Sequence, residues 1–134
     1  MPSLNGTREV LETLFIDGWA AKTPIKYDNV VFDDNGISEF VDMKMINYTT
    51  RNVNIGSGIT KRKRHTGVFS IRIFTKQNTG TGKAYSYADD IGVIMDNFKD
   101  TNILTYASES RRSGEVEGGQ YVLIVDVPYV SDET

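Results

Sequence analysis

The chain has 134 residues, 39% hydrophobic and 25% charged, with a formal net charge of −3 and no cysteine. That length suits a single domain, 1–134, which buries roughly two-thirds of the surface its unfolded form exposes and needs no metal or disulfide to hold a core. The lack of cysteine excludes a disulfide scaffold, thiolate metal sites and cysteine catalysis.

The opening MPSLNGTREVLETL has neither the basic and apolar runs nor the cleavage site of a secretory signal. No apolar run approaches the ~20 residues of a membrane span. A cytoplasmic protein, or one assembled there, with no membrane partner is the simplest expectation. Residues 7–20 predict a helix, with Thr7 as N-cap and Leu11, Leu14, Phe15 and Trp19 at helical spacing. Pro24 stops it, Asn29 to Phe32 read as a short strand, and DDNG at 33–36 reads as a turn. Residues 39–54 alternate, with Val41, Met43 and Met45 on one side and Asp42 and Lys44 on the other, and predict a strand. Residues 67–75 predict its antiparallel partner, with Phe69, Ile71 and Ile73 on one face. The connecting loop carries KRKR. Residues 82–98 predict a helix with a stripe of Ala84, Tyr87, Ala88, Ile91, Ile94, Met95 and Phe98 opposed by Asp89, Asp90 and Asp96. Ile103–Arg111 and Gln120–Tyr129 predict a last hairpin, ended by Pro128 and followed by a polar tail. The order α-β-β-α-β-β predicts an α+β fold: a mostly antiparallel sheet of four to five strands with two helices on one face.

Charge is unevenly spread. Residues 61–76 hold six basic residues and no acid, while the rest carries nine basic and eighteen acidic residues. The tetrad Lys61, Arg62, Lys63 and Arg64 reads either as a solvated hairpin tip or as a contact for a polymer met through its phosphates. No aromatic interleaves it, so base stacking is not indicated. Arg111 and Arg112, in the other hairpin loop, are candidates to join the patch. The stretch FTKQNTGTGKA at 74–84 has the order of a phosphate-binding loop but not its chemistry. Gln77 stands where the first glycine belongs, and Ala84 stands where a Mg²⁺-binding hydroxyl belongs. Gly80 and Gly82 then serve as turn residues, with Thr79 or Thr81 capping the helix. His65 reads as a lone exposed histidine in a flexible loop. The pairs Asp33–Asp34 and Asp89–Asp90 point apart and make no acid–base couple. No catalytic, metal or cofactor site emerges, and no enzyme is expected.

The segments TPIKYDNVVF (23–32) and RHTGVFSIRIFTKQNTGTGKA (64–84), placed after a short helix and before a longer one, resemble the tail terminator (tail completion) proteins of long-tailed bacteriophages. The shared pattern is a G-V-F-x-I-x-I-F strand entering a glycine-rich turn and a long helix, and it spans residues 5–128. The KRKR tetrad is not part of it. The resemblance implies a non-enzymatic virion protein, assembled in the host cytoplasm, that forms a ring, usually hexameric, on the last ring of the tail tube. There it ends tube growth, offers a joining surface to head and neck proteins, and lets DNA pass. A head-to-tail ring needs two different faces that meet. Asp89, Asp90 and Asp96 against a neighbour's Lys61–Arg64 hairpin are the expected pair. A neck protein of similar fold, and a nucleic-acid-binding module using the basic hairpin, remain the alternatives.

Overall fold

Ser3, rather than Thr7, caps the first helix of the computed structural model, which describes residues 3–20, 22–27, 39–52, 63–76, 82–100, 102–112 and 120–133. The Ser3 hydroxyl accepts the Gly6 N–H at 3.0 Å, satisfying a first-turn amide that has no partner inside the helix. Helix α1 therefore runs Leu4–Trp19. It ends where Ala20 takes left-handed angles (φ 52°) and returns its N–H to the Ile16 carbonyl.

Thr7 has a different task. Its hydroxyl donates to the Ser3 carbonyl at 3.0 Å and lies 2.6 Å from the Ser131 hydroxyl, which is then the donor of that pair. Both side chains are fully buried, so this bond fastens the start of the chain to its last strand. Thr7→Val leaves the buried Ser131 hydroxyl without that acceptor. It is expected to lower the unfolding free energy by about 1–3 kcal/mol, read by denaturant titration, while Thr7→Ser stays closer to wild type.

The remaining elements are β1 (Ile25–Tyr27), β2 (Phe40–Asn52), β3 (Lys63–Lys76), α2 (Gly82–Met95), β4 (Ile103–Thr105), β5 (Glu109–Arg112) and β6 (Gln120–Glu133). They build one sheet in the order β1-β2-β3-β6-β4, with β5 also paired to β6. Every ladder is antiparallel except β1–β2, where Ile25 lies opposite Val41. The α+β class holds, with a sheet of six strands among the described residues where four to five were expected. Ile25–Tyr27 supplies one of them, whereas the strand expected at Asn29–Phe32 and the turn at 33–36 lie outside the described residues.

The other difference is that 103–111 is two short strands rather than one. The Tyr106 N–H donates to the Pro128 carbonyl at 3.0 Å, and the Ser108 N–H donates to Asp96 Oδ1 at 2.8 Å. The second bond draws residues 106–108 off the ladder toward α2. Pro128 does not end the last strand, which continues to Glu133. In a strand, the N–H and C=O of one residue point to the same neighbour. The Pro128 carbonyl faces Tyr106, so its missing N–H faces the gap between β4 and β5, where no ladder bond is lost.

Alternation sorts the side chains of β2 and β3 as the sequence predicted, and those of β6 follow the same period. Val41, Met43, Phe69, Ile71, Ile73, Leu123, Val125, Val127 and Tyr129 form one core with Leu11, Phe15 and Trp19 of α1 and Ala84, Ala88, Ile91 and Met95 of α2. Both helices thus cover one face of the sheet. They approach closely: a Cβ at Gly18 would lie 2.6 Å from Ile94 Cγ2. The opposite face carries a smaller cluster, Phe40, Phe74 and Val122, in which the two phenyl rings stack at 4.3 Å. Arg72 lies over Phe74 and is ion-paired to Asp42.

Candidate assembly surfaces

The long β2–β3 hairpin has a bulge. Pairing is regular from Phe40↔Phe74 to Asn47↔Gly67, then skips Tyr48 and resumes at Thr49↔Thr66. Gly67 permits the crossing, because a Cβ there would lie 2.0 Å from the Ile46 carbonyl oxygen. A polar chain sits beside it. The Tyr129 hydroxyl donates to Asn47 Oδ1 (3.1 Å), Asn47 Nδ2 donates to Thr50 Oγ1 (2.8 Å), and Thr50 Oγ1 lies 2.8 Å from His65 Nδ1.

His65 is therefore not an exposed loop residue. It is 4% exposed, inside β3, which starts at Lys63 rather than at 67. The reason is β6: its residues beyond Pro128 pair with 63–67, so the strand outlasts the glycine that seemed to open it. Burial pushes the Tyr129 phenol up to about 12. A raised folded-state value means that neutral Tyr129 stabilises the fold fully below its ordinary value near 10, and that this stabilisation is lost as pH rises toward 12. Burial raises the Tyr87 phenol as well, so alkaline titration of phenolate absorbance should show late-titrating tyrosines, of which Tyr129→Phe removes one, and the stability of that variant should fall less across that window.

The expected basic patch divides. Lys61 and Arg62 lie outside the described residues. Lys63 is exposed at the start of β3, opposite Asn52 and Glu133. Arg64 is held by Asp132 through two bonds, Nε at 2.8 Å and Nη2 at 3.2 Å, and this contact raises its already high pKa. Arg111 pairs with Asp126 at 3.0 Å and, with Arg112, belongs to β5 rather than to a loop. Arg111 sits opposite Ile124 and Arg64 opposite Asp132, eight positions apart on β6. At roughly 3.3 Å per residue that is ~26 Å, so the two arginine groups do not form one patch.

The acidic face of α2 divides in the same way. Asp90 pairs with Lys22 at 3.0 Å, and Asp96 accepts from the Ser108 amide. Asp89 is exposed and makes no contact of this kind among the described residues. Between Asp89 and Asp96 stands Val93, 87% exposed. The sequence reading passed over it, although its place opposite the apolar stripe could have revealed it. It makes an apolar ridge flanked by carboxylates, beside a shallow cleft that reaches Ser108 and Ser110.

Lys83, the lysine of the glycine-rich stretch, is bound to Glu39 at 2.7 Å, with Tyr87 beside the same carboxylate. Hydrogen bonding to Glu39 raises the ammonium pKa. A lysine so committed is poorly placed to cradle a phosphate. Residues 77–81, with Thr79, Gly80 and Thr81, lie outside the described residues.

A cleft of about 490 Å³ opens at the end of the β2–β3 ladder where Arg51 lies opposite Arg64. It is bordered by Arg51, Arg64, Lys99, Leu104, Tyr106 and Asp132, with Asp100 also on its rim. Arg64 and Asp132 neutralise each other. Arg51 and Lys99 make no ion pair or side-chain hydrogen bond among the described residues, and Tyr106 is 45% exposed. Among the described residues no three His, Asp or Glu side chains cluster as metal ligands, and no helix is long and apolar enough to cross a membrane.

Two helices and a six-stranded sheet among the described residues, with charged side chains along rims and clefts, make an α+β scaffold with surfaces to offer other proteins. The family model described as phage tail terminator protein matches residues 8–133, and the chain belongs to that family. It is thus a structural component of the phage tail and works with other tail proteins. Among the solved structures, one whose name states no function superposes with a TM-score of 0.63 at 10% identity, covering 92% of this chain and 94% of its own. At that identity the likeness concerns the fold. No curated protein matches the sequence.

Proposed function

We propose that this chain forms one domain over residues 1–134 and assembles as a ring, a hexamer, on the last ring of the tail tube. In that position it stops tube polymerisation and presents the surface to which head-completion or neck proteins join. The observation that carries this reading is the family match over nearly the whole chain. The charge layout supports it. The outer face of α2 is acidic through Asp89 and Asp96, while the far end of the β2–β3 ladder carries Lys63 and Arg51, so one molecule holds both halves of a head-to-tail contact. Lys61, Arg62, Arg64, Asp90, Arg111 and Arg112 complete the proposed contact or channel-facing set.

The work is one of binding and blocking, without an enzymatic step or a cofactor. It takes place in the virion tail after assembly in the host cytoplasm. DNA passing through the ring would meet it without sequence-specific contacts. A stand-alone nucleic-acid module is less well supported, because Arg64 is neutralised by Asp132 and Arg111 by Asp126.

The experiment is to add purified chain to polymerising tail tube protein and measure tube lengths by electron microscopy. Capping predicts that elongation stops, with this protein found at tube ends. Tubes that elongate as fast with the chain as without it would refute the proposal.

A further inference from the structure

Resting on the ring reading above, we infer that the cleft at the Arg51–Arg64 end of the β2–β3 ladder is the seat for Val93 of α2 from a second copy of this chain. The two surfaces match in kind. The ridge is an apolar side chain 87% exposed, flanked four residues before by Asp89 and three residues after by Asp96. The cleft offers two exposed apolar side chains, Leu104 and Tyr106, flanked by Arg51 from β2 and Lys99 from the α2–β4 connection. Those two cations have no partner among the described residues, while Arg64 and Asp132 neutralise each other within the same wall. An isolated valine left in water beside two carboxylates gains from burial only where the partner also answers the charges. A surface with two available cations around apolar side chains does both.

The placement suits a ring. Residues two apart on a strand share a face. Arg64, Thr66, Val130 and Asp132 therefore open the cleft on the sheet face away from the helices, whereas Val93 lies on the outer side of the helix layer. Ridge and cleft are different surfaces of one molecule. Their union is head-to-tail and leaves a new ridge and a new cleft for the next copy, which a rotation that closes turns into a ring. The shallow cleft beside the ridge, reaching Ser108 and Ser110, gives the incoming wall room to close around α2.

The chain has no cysteine, so a disulfide can report the contact without background. Val93→Cys with Tyr106→Cys, both at exposed positions, should on oxidation give a ladder of covalent oligomers, and neither single variant should give one. In parallel, Arg51→Glu should weaken assembly at least about tenfold, as like charges face each other, and Arg51→Glu with Asp89→Arg should restore it. If the protein assembles to its full mass but the double-cysteine variant yields no ladder and the charge exchange no rescue, the ridge and cleft are not the contact and the ring reading stands. A 93-to-93 disulfide in the single variant would also overturn the seat. If wild type remains a single chain at every concentration and with tail tube protein present, the ring reading fails and this contact fails with it.

Discussion

Gly67→Ala should be among the most damaging single substitutions in the chain. The added methyl would lie 2.0 Å from the Ile46 carbonyl oxygen and 2.9 Å from Asn47 Cα. Both are backbone atoms that no rotamer change can move. Relief requires β2 and β3 to separate at the bulge, which breaks the ladder on each side and pulls Asn47 from Tyr129 and Thr50. Overpacking of a well-packed site costs typically 1–3 kcal/mol and sometimes more. Against backbone the upper end applies, so the melting temperature should fall by about 10 °C. The effect reaches the proposed function. Arg51, Lys63 and Arg64 all lie beyond the bulge, and their direction depends on it. Scanning calorimetry on Gly67→Ala, beside Tyr48→Ala at the exposed bulge residue as control, tests this. A melt for Gly67→Ala equal to that of wild type would show that the strands do not approach this closely.

Trp19→Ala should cost as much or more. Trp19 is fully buried at the end of α1, stacked on Phe15 at 5.4 Å and meeting the Tyr87 ring edge-on at 5.4 Å. Its indole N–H donates to Thr23 Oγ1 at 3.2 Å, which holds the chain as it leaves the helix toward β1. Removing a buried tryptophan side chain costs about 3–5 kcal/mol through lost burial and the cavity left behind. A protein of this size is stable by about 5–15 kcal/mol, so about a fifth or more of the total is at stake. Because Trp19 touches α2 through Tyr87, the outward face of α2, with Asp89 and Val93, should lose its fixed aim. Denaturant titration should show a reduced midpoint with little change in slope. Trp19→Phe, which keeps a ring but not the hydrogen bond to Thr23, should fall between the two.

Much of the fold was legible where local pattern and tertiary environment agree. The alternation of Phe69, Ile71 and Ile73 identified the inner face of β3, and the stripe from Ala84 to Met95 identified the buried side of α2. What escaped was set by partners far along the chain. His65 reads as a loop residue because Gly67 follows it, yet residues 129–133 pair beside it and make a strand of 63–66. Pro128 reads as a stop because its effect depends on which neighbour its missing N–H faces, and that is fixed by the gap at Tyr106–Ser108. That gap depends in turn on Asp96 capturing an amide from another element. Strand β1 is three residues long and gains its identity only by lying parallel to β2.

The candidate surfaces were legible in outline only. The sequence located the charges but not their commitments: Arg64 to Asp132, Asp90 to Lys22, Arg111 to Asp126 and Lys83 to Glu39. Each pairing joins residues distant in sequence, so no spacing rule could reveal it. The residues left over, Arg51, Lys63, Asp89, Val93 and Lys99, are the ones on which the proposed contacts rest.

The most direct test of the central claim is the mass of the purified protein in solution, by light scattering on a sizing column across a concentration series, repeated with tail tube protein. Tail termination by a ring predicts the mass of six chains, reached either by concentration alone or on meeting the tube. A single chain at every concentration, with no ring on tube ends, would contradict it.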